Sequence, residues 1–207
     1  MLFRSPEEVF VAQGTHVHVL DIETGEITRS VKNEANSRVG YIGSYQGKLI
    51  TGTEFASYSG MVTRPSTRTA GLQPLKPGND RRVERFTDYD ITASAGLALY
   101  DRRQELLWHK TAEYGFIHNS ITAGNNRLYL IDSIPPAMQN TLNRRGINVS
   151  QSPVLMALDP DTGEIIWKRE KGVFGSWLGY SEEHDLLLQA TRPSRDMIAG
   201  EEGTRMI

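Results

Sequence analysis

The sequence contains no cysteine among its 207 residues. Disulfides, thiolate nucleophiles and thiolate metal sites are therefore excluded, while the cellular compartment stays open because a cysteine-free chain tolerates either redox environment. No apolar run approaches the roughly 18 residues that a membrane-spanning helix needs, so we predict no transmembrane segment. The formal net charge of −2 favours neither nucleic acid nor an anionic membrane as a partner.

Catalytic signatures are also missing. The sequence has no Gly-x-Ser-x-Gly, no Walker-type loop, no His-Glu-x-x-His and no dinucleotide fingerprint, and we predict no catalytic residues and no bound cofactor. His16 and His18 alternate along one strand and therefore lie on one face, where they could share a metal ion. Because the sequence places no third ligand beside them, we predict no metal site. Residues 1–8 lack the charged and apolar regions of a secretory signal peptide.

What the chain does contain is a repeated supersecondary unit. Residues 157–167 form a short apolar run, a tight turn and a second apolar run that ends in tryptophan. Damaged copies of this unit occur at residues 19–27 and 99–108. The motif residues are Ala157, Asp159, Thr162, Gly163 and Trp167 in the full copy, Asp21, Thr24 and Gly25 in the first, and Asp101 and Trp108 in the second. A unit that recurs along a chain predicts a repeat architecture.

The strand pattern around these units predicts an all-β fold. Short runs rich in β-branched and aromatic residues alternate with Gly, Asn and Asp turns, and they group into sets of four antiparallel strands, A to D. Sequential four-stranded sets are the blades of a β-propeller. We predict a partial propeller over residues 1–207. It comprises a partial blade at 9–34 without a strand A, a blade at 38–112 with an insertion at 54–92, a blade at 117–170 with an insertion at 132–153, and a partial blade at 177–207. We expect the chain to be a fragment of a longer propeller, whose missing blades close the ring.

The repeated turn has a structural chemistry. An Asp at the end of strand C is expected to accept backbone N–H groups across the turn, and the glycine four residues later suits a positive φ. The threonine adds a second cap, and the tryptophan on strand D fills the wedge between blades.

Residues 157–167 match the form Ala-x-Asp-x-x-Thr-Gly-x-x-x-Trp at every fixed position. This pattern resembles the tryptophan-docking motif of the PQQ-like β-propeller repeats, found in quinoprotein dehydrogenases and in BamB-type outer-membrane assembly lipoproteins. The resemblance extends over residues 9–207 through the strand spacing. The first copy has Arg29 where the tryptophan would stand, and the middle copy is one residue short and lacks the Thr-Gly pair. We expect those two blades to lose the docking contact.

Strand order predicts where a function lies. The long connections all join strand B to strand C, so they gather with the D–A connections on one face of the disc, where rigid scaffolds usually carry function. The candidate pocket-lining residues lie at or beside the D–A connections of this face: Arg38, His118, Asn119 and Trp177. The alternative, which we prefer on sequence alone, is that these side chains only cap the loops. The first insertion carries Arg64, Arg68, Arg81, Arg82 and Arg85, read either as an anion- or partner-binding flap or, in preference, as a solvated loop.

In the second insertion, Pro136 and Gly146 bracket an expected short helix in which Met138 and Leu142 share a face that packs onto the blade.

The resemblance implies three classes of function. The favoured one is a non-enzymatic, BamB-like scaffold for protein or peptide partners. The second is part of a dehydrogenase that uses PQQ and calcium, although such enzymes typically carry a vicinal cysteine pair and this chain has none. The third is a docking or sensor propeller joined to a catalytic domain outside this chain. The resemblance also suggests an extracytoplasmic location, periplasmic or associated with the outer membrane.

Overall fold

The computed structural model describes residues 2–4, 8–58, 89–144, 146–149 and 151–190, and it describes side chains at residues 8–58 and from 92 onward within those ranges. Within these ranges the chain forms fourteen strands, one α-helix and two short 3-10 turns at residues 34–36 and 118–120. The strands are β1 (Leu2–Arg4), β2 (Glu8–Gln13), β3 (His16–Asp21), β4 (Ile27–Lys32), β5 (Val39–Tyr45), β6 (Lys48–Ser57), β7 (Tyr89–Tyr100), β8 (Leu106–Ile117), β9 (Thr122–Gly124), β10 (Arg127–Asp132), β11 (Val154–Leu158), β12 (Ile165–Arg169), β13 (Trp177–Ser181) and β14 (Leu186–Ala190). The helix, α1, spans Pro136–Arg144.

The first blade contains four strands in the order β1-β2-β3-β4, all paired antiparallel. The expectation that it lacks a strand A is wrong, because residues Leu2–Arg4 pair with Val9–Val11 of β2. Three residues are too few to show the alternation by which a strand is recognised in a sequence.

The second blade (β5–β8) and the third (β9–β12) have the predicted order of strands but are not separate sheets. The strands run β12-β11-β10-β8-β7-β6-β5 in one eight-stranded sheet, with β9 paired to β10. The two blades join where Asp132 of β10 pairs with Phe116 of β8. The fourth unit is the hairpin β13–β14; the expected strand at 204–207 and the connection at 191–203 lie outside the described residues.

A bulge in β8 and a buried carboxylate make this joint. Between the pairs Ser94–Phe116 and Gly96–Thr111, one residue of β7 lies opposite four residues of β8. The Asp132 carboxylate, in a side chain that is 5% exposed, accepts hydrogen bonds from three successive backbone N–H groups of the bulge, at 2.6, 2.9 and 2.9 Å. These donors face away from the strand ladder, and the carboxylate satisfies them. Asp132 therefore holds the second blade against the third.

Apolar side chains fill the spaces between neighbouring blades, as strand alternation predicts. The core between the first and second blades contains Phe10, Val17, Val19, Val31, Ile42, Leu49 and Ala98. The core between the second and third contains Ile50, Leu97, Leu99, Trp108, Leu128, Leu130 and Leu158. A third cluster joins the third blade to the β13–β14 hairpin through Tyr129, Ile131, Ala157 and Leu178.

The repeated turns have the predicted hydrogen bonds. The Asp159 carboxylate accepts the N–H groups of Asp161 and Thr162 at 2.7 and 2.9 Å, the Thr162 hydroxyl accepts the N–H of Glu164 at 3.2 Å, and Gly163 has φ 71°. The first copy repeats this arrangement through Asp21, Thr24 and Gly25, whose φ is 72°. In the shorter middle copy, Asp101 accepts from the N–H groups of residues 103 and 105, and Gln104 takes the positive φ.

The docking contact links one blade to the next, so the expectation that the middle copy loses it is wrong. Trp108 of the second blade lies on the turn of the third, where its Nε1 donates to the Pro160 carbonyl at 3.2 Å. A Cβ atom added to Gly163 would stand 2.6 Å from the Trp108 ring. Lys110 and Lys48 bind the same turn, at the Gly163 carbonyl (3.2 Å) and the Asp161 carboxylate. Trp108 therefore needs the glycine of the following blade and not one in its own.

Arg29 and Trp167 take the equivalent strand D positions of the first and third blades. Arg29 forms an ion pair with Glu8 of its own sheet at 2.5 Å. The Trp167 ring lies 6.0 Å from the Tyr129 ring and the side chain is 37% exposed. Among the described residues, only Trp108 of these three positions is buried.

The helix of the second insertion also matches its prediction. Met138 and Leu142 point to one side of α1 and are buried with Ala56, Ala93 and Ile134. The helix thus packs against the extended ends of β6 and β7, beyond the blade proper. Residues 54–57 and 89–92 of the predicted first insertion are strand, and residues 59–88, which include the five arginines, lie outside the described ranges. Within the described residues, no helix has the length and apolarity needed to cross a bilayer.

The two turn carboxylates give the fold a pH dependence. Backbone hydrogen bonds from Thr162 and Asp161 lower the pKa of Asp159, and those from Thr24 and Glu23 lower the pKa of Asp21. A carboxyl with a lower pKa in the folded chain stabilises it above the unfolded-state pKa of about 4, and this stabilisation is lost as the pH falls through the folded value. We expect the Tm to fall more steeply between pH 5 and 3 in the natural chain than in the Asp21→Asn, Asp159→Asn variant, as measured by circular dichroism. Parallel curves for the two chains would contradict this assignment.

Candidate functional site

The candidate site lies where the D–A connections enter the second and third blades. Arg38 directly precedes β5, His118 directly follows β8, and Trp177 begins β13. Strand β13 packs beside β9 and the 118–120 turn. The D–A connections of successive blades therefore approach each other on the face that carries α1.

Arg38 is held by Glu54 and Phe55. Its Nε donates to Glu54 Oε1 at 2.7 Å, its backbone N–H donates to Oε2 at 3.2 Å, and its guanidinium carbon lies 5.1 Å from the centre of the Phe55 ring. Partial burial raises the pKa of Glu54, but the hydrogen bonds from Arg38 and Phe55 outweigh it, so the pKa lies below its usual range. The pair is ionised at neutral pH, with the Arg38 side chain 52% exposed. Arg38 thus stands at the surface in a fixed orientation.

The backbone around Arg38 is strained and is held by buried hydrogen bonds. Ala35, Asn36 and Glu54 have φ values of 52°, 54° and 59°, in the left-handed region that non-glycine residues rarely adopt. Buried Asn33 holds this segment, donating to the Arg38 and Gly52 carbonyls at 3.2 and 3.1 Å and accepting from the Thr51 hydroxyl at 2.7 Å. Such strain persists only where the surroundings over-determine the conformation, and it concentrates at functional sites.

His118 is anchored by a buried serine. Its Nε2 lies 2.8 Å from the Ser94 hydroxyl, and its ring lies 5.8 Å from that of Tyr41. The Ser94 hydroxyl occupies space that two glycines leave open, because a Cβ on Gly40 or on Gly52 would collide with it. Since Ser94 is fully buried, its hydroxyl positions the imidazole and is out of reach of a substrate. Burial raises the pKa of Tyr41 to about 12, so this ring stays neutral.

The four predicted residues are brought together only in part. Ser94 Oγ, the Glu54 carbonyl and His118 Nε2 all lie within 3.5 Å of an ideal Cβ on Gly40, so His118 and the Arg38–Glu54 pair share one site. Asn119 is exposed in the 118–120 turn, just before β9. Trp177 is 38% exposed and its ring covers Gly179. The pocket-lining role of these residues stays a prediction.

Sequence reasoning missed the residues that support the site: Asn33, Glu54 and Ser94. Glu54 and Ser94 lie within β6 and β7, in or next to the predicted insertion at 54–92, where the sequence does not signal that the two strands continue. Asn33, between a strand and a turn, looks like any loop asparagine, although Asn is favoured where side chains replace backbone partners. No local signal could have linked Ser94 to His118 across 24 residues.

The site offers a guanidinium, an imidazole and exposed aromatic and amide groups, which suit the recognition of polar groups on a partner. Across the described residues, no three histidine, aspartate or glutamate side chains converge as metal ligands.

Comparison with known proteins gives likeness in structure alone. No protein-family model matches the chain, and a search of curated proteins gives no match. The chain is similar to dihydro-heme d1 dehydrogenase NirN, solved in complex with DHE, with a TM-score of 0.51, 8% identity, and coverage of 92% of this chain and 32% of that one. It is also similar to a quinohemoprotein alcohol dehydrogenase from Pseudomonas putida (TM-score 0.47, 15% identity, 82% and 26% covered) and to the Pan2 WD40 domain of Neurospora crassa (0.48, 8%, 86% and 40%).

The chain spans about a third of the NirN chain that it matches. At this identity the likeness shows the fold and nothing of the activity. With the strand order above, it identifies the chain as an all-β, incomplete β-propeller of antiparallel blades.

Proposed function

We propose that this propeller is a non-enzymatic scaffold of the BamB-like kind, which binds a protein or peptide partner on the face that carries α1 and the D–A connections. The observation that carries the proposal is the fixed Arg38–Glu54 pair beside His118. Its strained backbone is held by buried hydrogen bonds, and its guanidinium remains half-exposed. Side chains that are pre-organised lose little entropy on binding. An extracytoplasmic location belongs to the same proposal and rests on the PQQ-like repeat resemblance alone.

Photocrosslinking from both faces tests the scaffold role. A photoreactive residue replaces Asn119 on the candidate face or, as the matched control, exposed Glu23 on the opposite, C–D turn face. We expect one crosslinked partner from position 119 and none from position 23. With that partner purified, we expect Arg38→Ala and His118→Ala to weaken binding at least tenfold and Glu23→Ala to leave it unchanged. Crosslinks of equal yield from both faces, or from neither, would overturn the proposal.

A cofactor titration separates the scaffold from the dehydrogenase alternative. We expect no change in visible absorbance when the full chain is titrated with PQQ and calcium. Tight binding with a new absorbance band would contradict the non-enzymatic assignment, whatever the crosslinking result. The expectation that no cofactor is bound stays a prediction until then.

A further inference from the structure

The last strand of the second blade has an exposed outer edge that carries two leucines. This β8 edge comprises residues 105–111, and among the residues that the structure describes no strand pairs with it on the side away from β7. Leu106 and Leu107 are 42% and 40% exposed. Leu107 is the extra residue of a β-bulge opposite Leu99 and Tyr100, so its backbone takes no part in the ladder with β7. An edge with exposed apolar side chains is a template for pairing with another strand.

The exposure of the β8 edge does not depend on further blades of the ring. The second blade lies between the first and the third, and both of these neighbours have four strands in the structure. The two faces of the second blade are buried against them in the two cores described above. Each blade of a repeat architecture contacts only its neighbours, so additional blades would pack on the far sides of the first and third. The β8 edge therefore stays uncovered in a complete propeller.

Charges of opposite sign stand at the two ends of the β8 edge. Glu105 precedes the leucines and is exposed, and Lys110 follows them and is partly buried. One of the three ammonium donors of Lys110 binds the Gly163 carbonyl at 3.2 Å. If two such edges paired in parallel, each charge would stand beside its own copy, and like charges directly opposite each other destabilise a strand pair. Antiparallel pairing instead places each Glu105 opposite a Lys110.

We propose that the β8 edge pairs antiparallel with the β8 edge of a second copy of this chain, forming a symmetric dimer. The two-fold axis lies between Leu107 and Trp108. The residues directly opposite each other on the two strands are then Glu105 and Lys110, Leu106 and His109, and Leu107 and Trp108. Such a two-fold interface must be self-complementary, and this register meets the condition with two Glu–Lys pairs around the leucines. One strand pair buries less than the roughly 1,200 Å² of a standard interface, so the dimer is weak and depends on concentration.

The last strands of the first and third blades lack this combination of charges. Five positions after Glu26, at the start of the first blade's edge, the chain has Val31 and no cation. In the third blade, the basic residues at the end of β12 are followed directly by Glu170, which forms an ion pair with Lys168 at 3.4 Å. The basic end of β12 is therefore compensated within its own chain, and we assign the dimer contact to β8 alone.

Analytical ultracentrifugation of the full chain, from about 1 µM to 1 mM, tests the dimer over the range of weak dissociation constants. We expect a monomer–dimer equilibrium whose Kd is at least tenfold weaker in Leu106→Lys and unchanged in Ile27→Lys and Ile165→Lys. These two variants are the matched controls, because Ile27 on β4 and Ile165 on β12 take the same register position as Leu106 and are 59% and 47% exposed.

A charge exchange separates strand pairing from a general loss of apolar surface. Glu105→Lys or Lys110→Glu alone places like charges opposite each other in the dimer, and we expect either change to weaken the Kd about tenfold. The double variant restores opposite charges in the same register, and we expect it to recover most of the affinity.

A chain that stays monomeric over this range, or a dimer that the Leu106→Lys variant weakens no more than its two controls do, would overturn the proposal. Failure of the double charge variant to recover affinity would overturn it as well. Circular dichroism checks the fold of each variant, and if Lys110→Glu unfolds the chain, the comparison of the three lysine variants decides. The result is independent of the scaffold proposal, since the β8 edge lies apart from Arg38 and His118.

Discussion

Replacing Asp132 by Ala is expected to lower the free energy of unfolding by about 3 to 5 kcal/mol. The change leaves three backbone N–H groups of the β8 bulge without their acceptor, and each buried donor left unsatisfied costs about 1 to 3 kcal/mol. Water reaches part of the bulge, because Glu113 is exposed and Gly115 is buried, so the costs do not add fully. Chemical denaturation at pH 7 measures the difference.

Two comparisons make this test specific. Asp132→Asn keeps one oxygen acceptor at the same place, and we expect about half of the loss. Asp161→Ala removes an exposed aspartate that forms one ion pair with Lys48, and surface pairs contribute about 0 to 1 kcal/mol. If Asp132→Ala costs no more than Asp161→Ala, the joint between the two blades does not depend on this carboxylate.

Replacing Trp108 by Ala is expected to cost about 3 to 5 kcal/mol, the usual range for a buried tryptophan. The ring is 8% exposed, lies among the apolar side chains between the second and third blades, and donates to the Pro160 carbonyl. Its removal leaves a cavity and an unpaired carbonyl together. The measurement is again the free energy of unfolding from a denaturant titration.

Trp167→Ala is the matched control, because Trp167 ends the full copy of the motif at the equivalent position of strand D. Because the Trp167 side chain is 37% exposed, we expect its removal to lower the free energy of unfolding by no more than about 1 to 2 kcal/mol. Equal losses in the two variants would show that motif position, and not contact with the following blade, decides the effect.

The sequence predicted most of the fold because its signals are local. Strand alternation placed the third blade at residues 117–170, where β9 to β12 lie, and the Asp-Thr-Gly turn specified its own hydrogen bonds. The helix of the second insertion followed from Pro136, Gly146 and the spacing of Met138 and Leu142. Each of these depends on residues that are near one another in the chain, which is where propensity and turn chemistry act.

The contacts between blades were beyond the same reasoning. The docking of Trp108 depends on Gly163, which lies 55 residues later in the chain and belongs to the third blade. When each copy of the motif is considered alone, the missing Thr-Gly pair of the middle copy is wrongly expected to remove the contact of Trp108. Asp132 is the first residue of the predicted second insertion, where an aspartate ordinarily faces solvent. Only the tertiary structure shows the N–H groups that donate hydrogen bonds to its carboxylate. In the candidate site, too, the contacts between residues far apart in the chain were not predicted. Arg38 and His118 were predicted from strand order, while Glu54 and Ser94, which orient them, were not.

Gly163→Ala and Gly25→Ala compare a turn that contacts Trp108 with one that does not, and they test most directly the claim that the repeated motif joins neighbouring blades. Both glycines have nearly the same positive φ, 71° and 72°, so both variants carry the same backbone strain, about 1 kcal/mol. A Cβ at Gly25 has no atom within 4 Å, whereas one at Gly163 meets the Trp108 ring. We predict that Gly163→Ala costs about 1 to 3 kcal/mol more in the free energy of unfolding than Gly25→Ala, and that the excess disappears when Trp108 is also replaced by Ala. Equal losses for the two glycines, or an excess that persists without Trp108, would contradict the account.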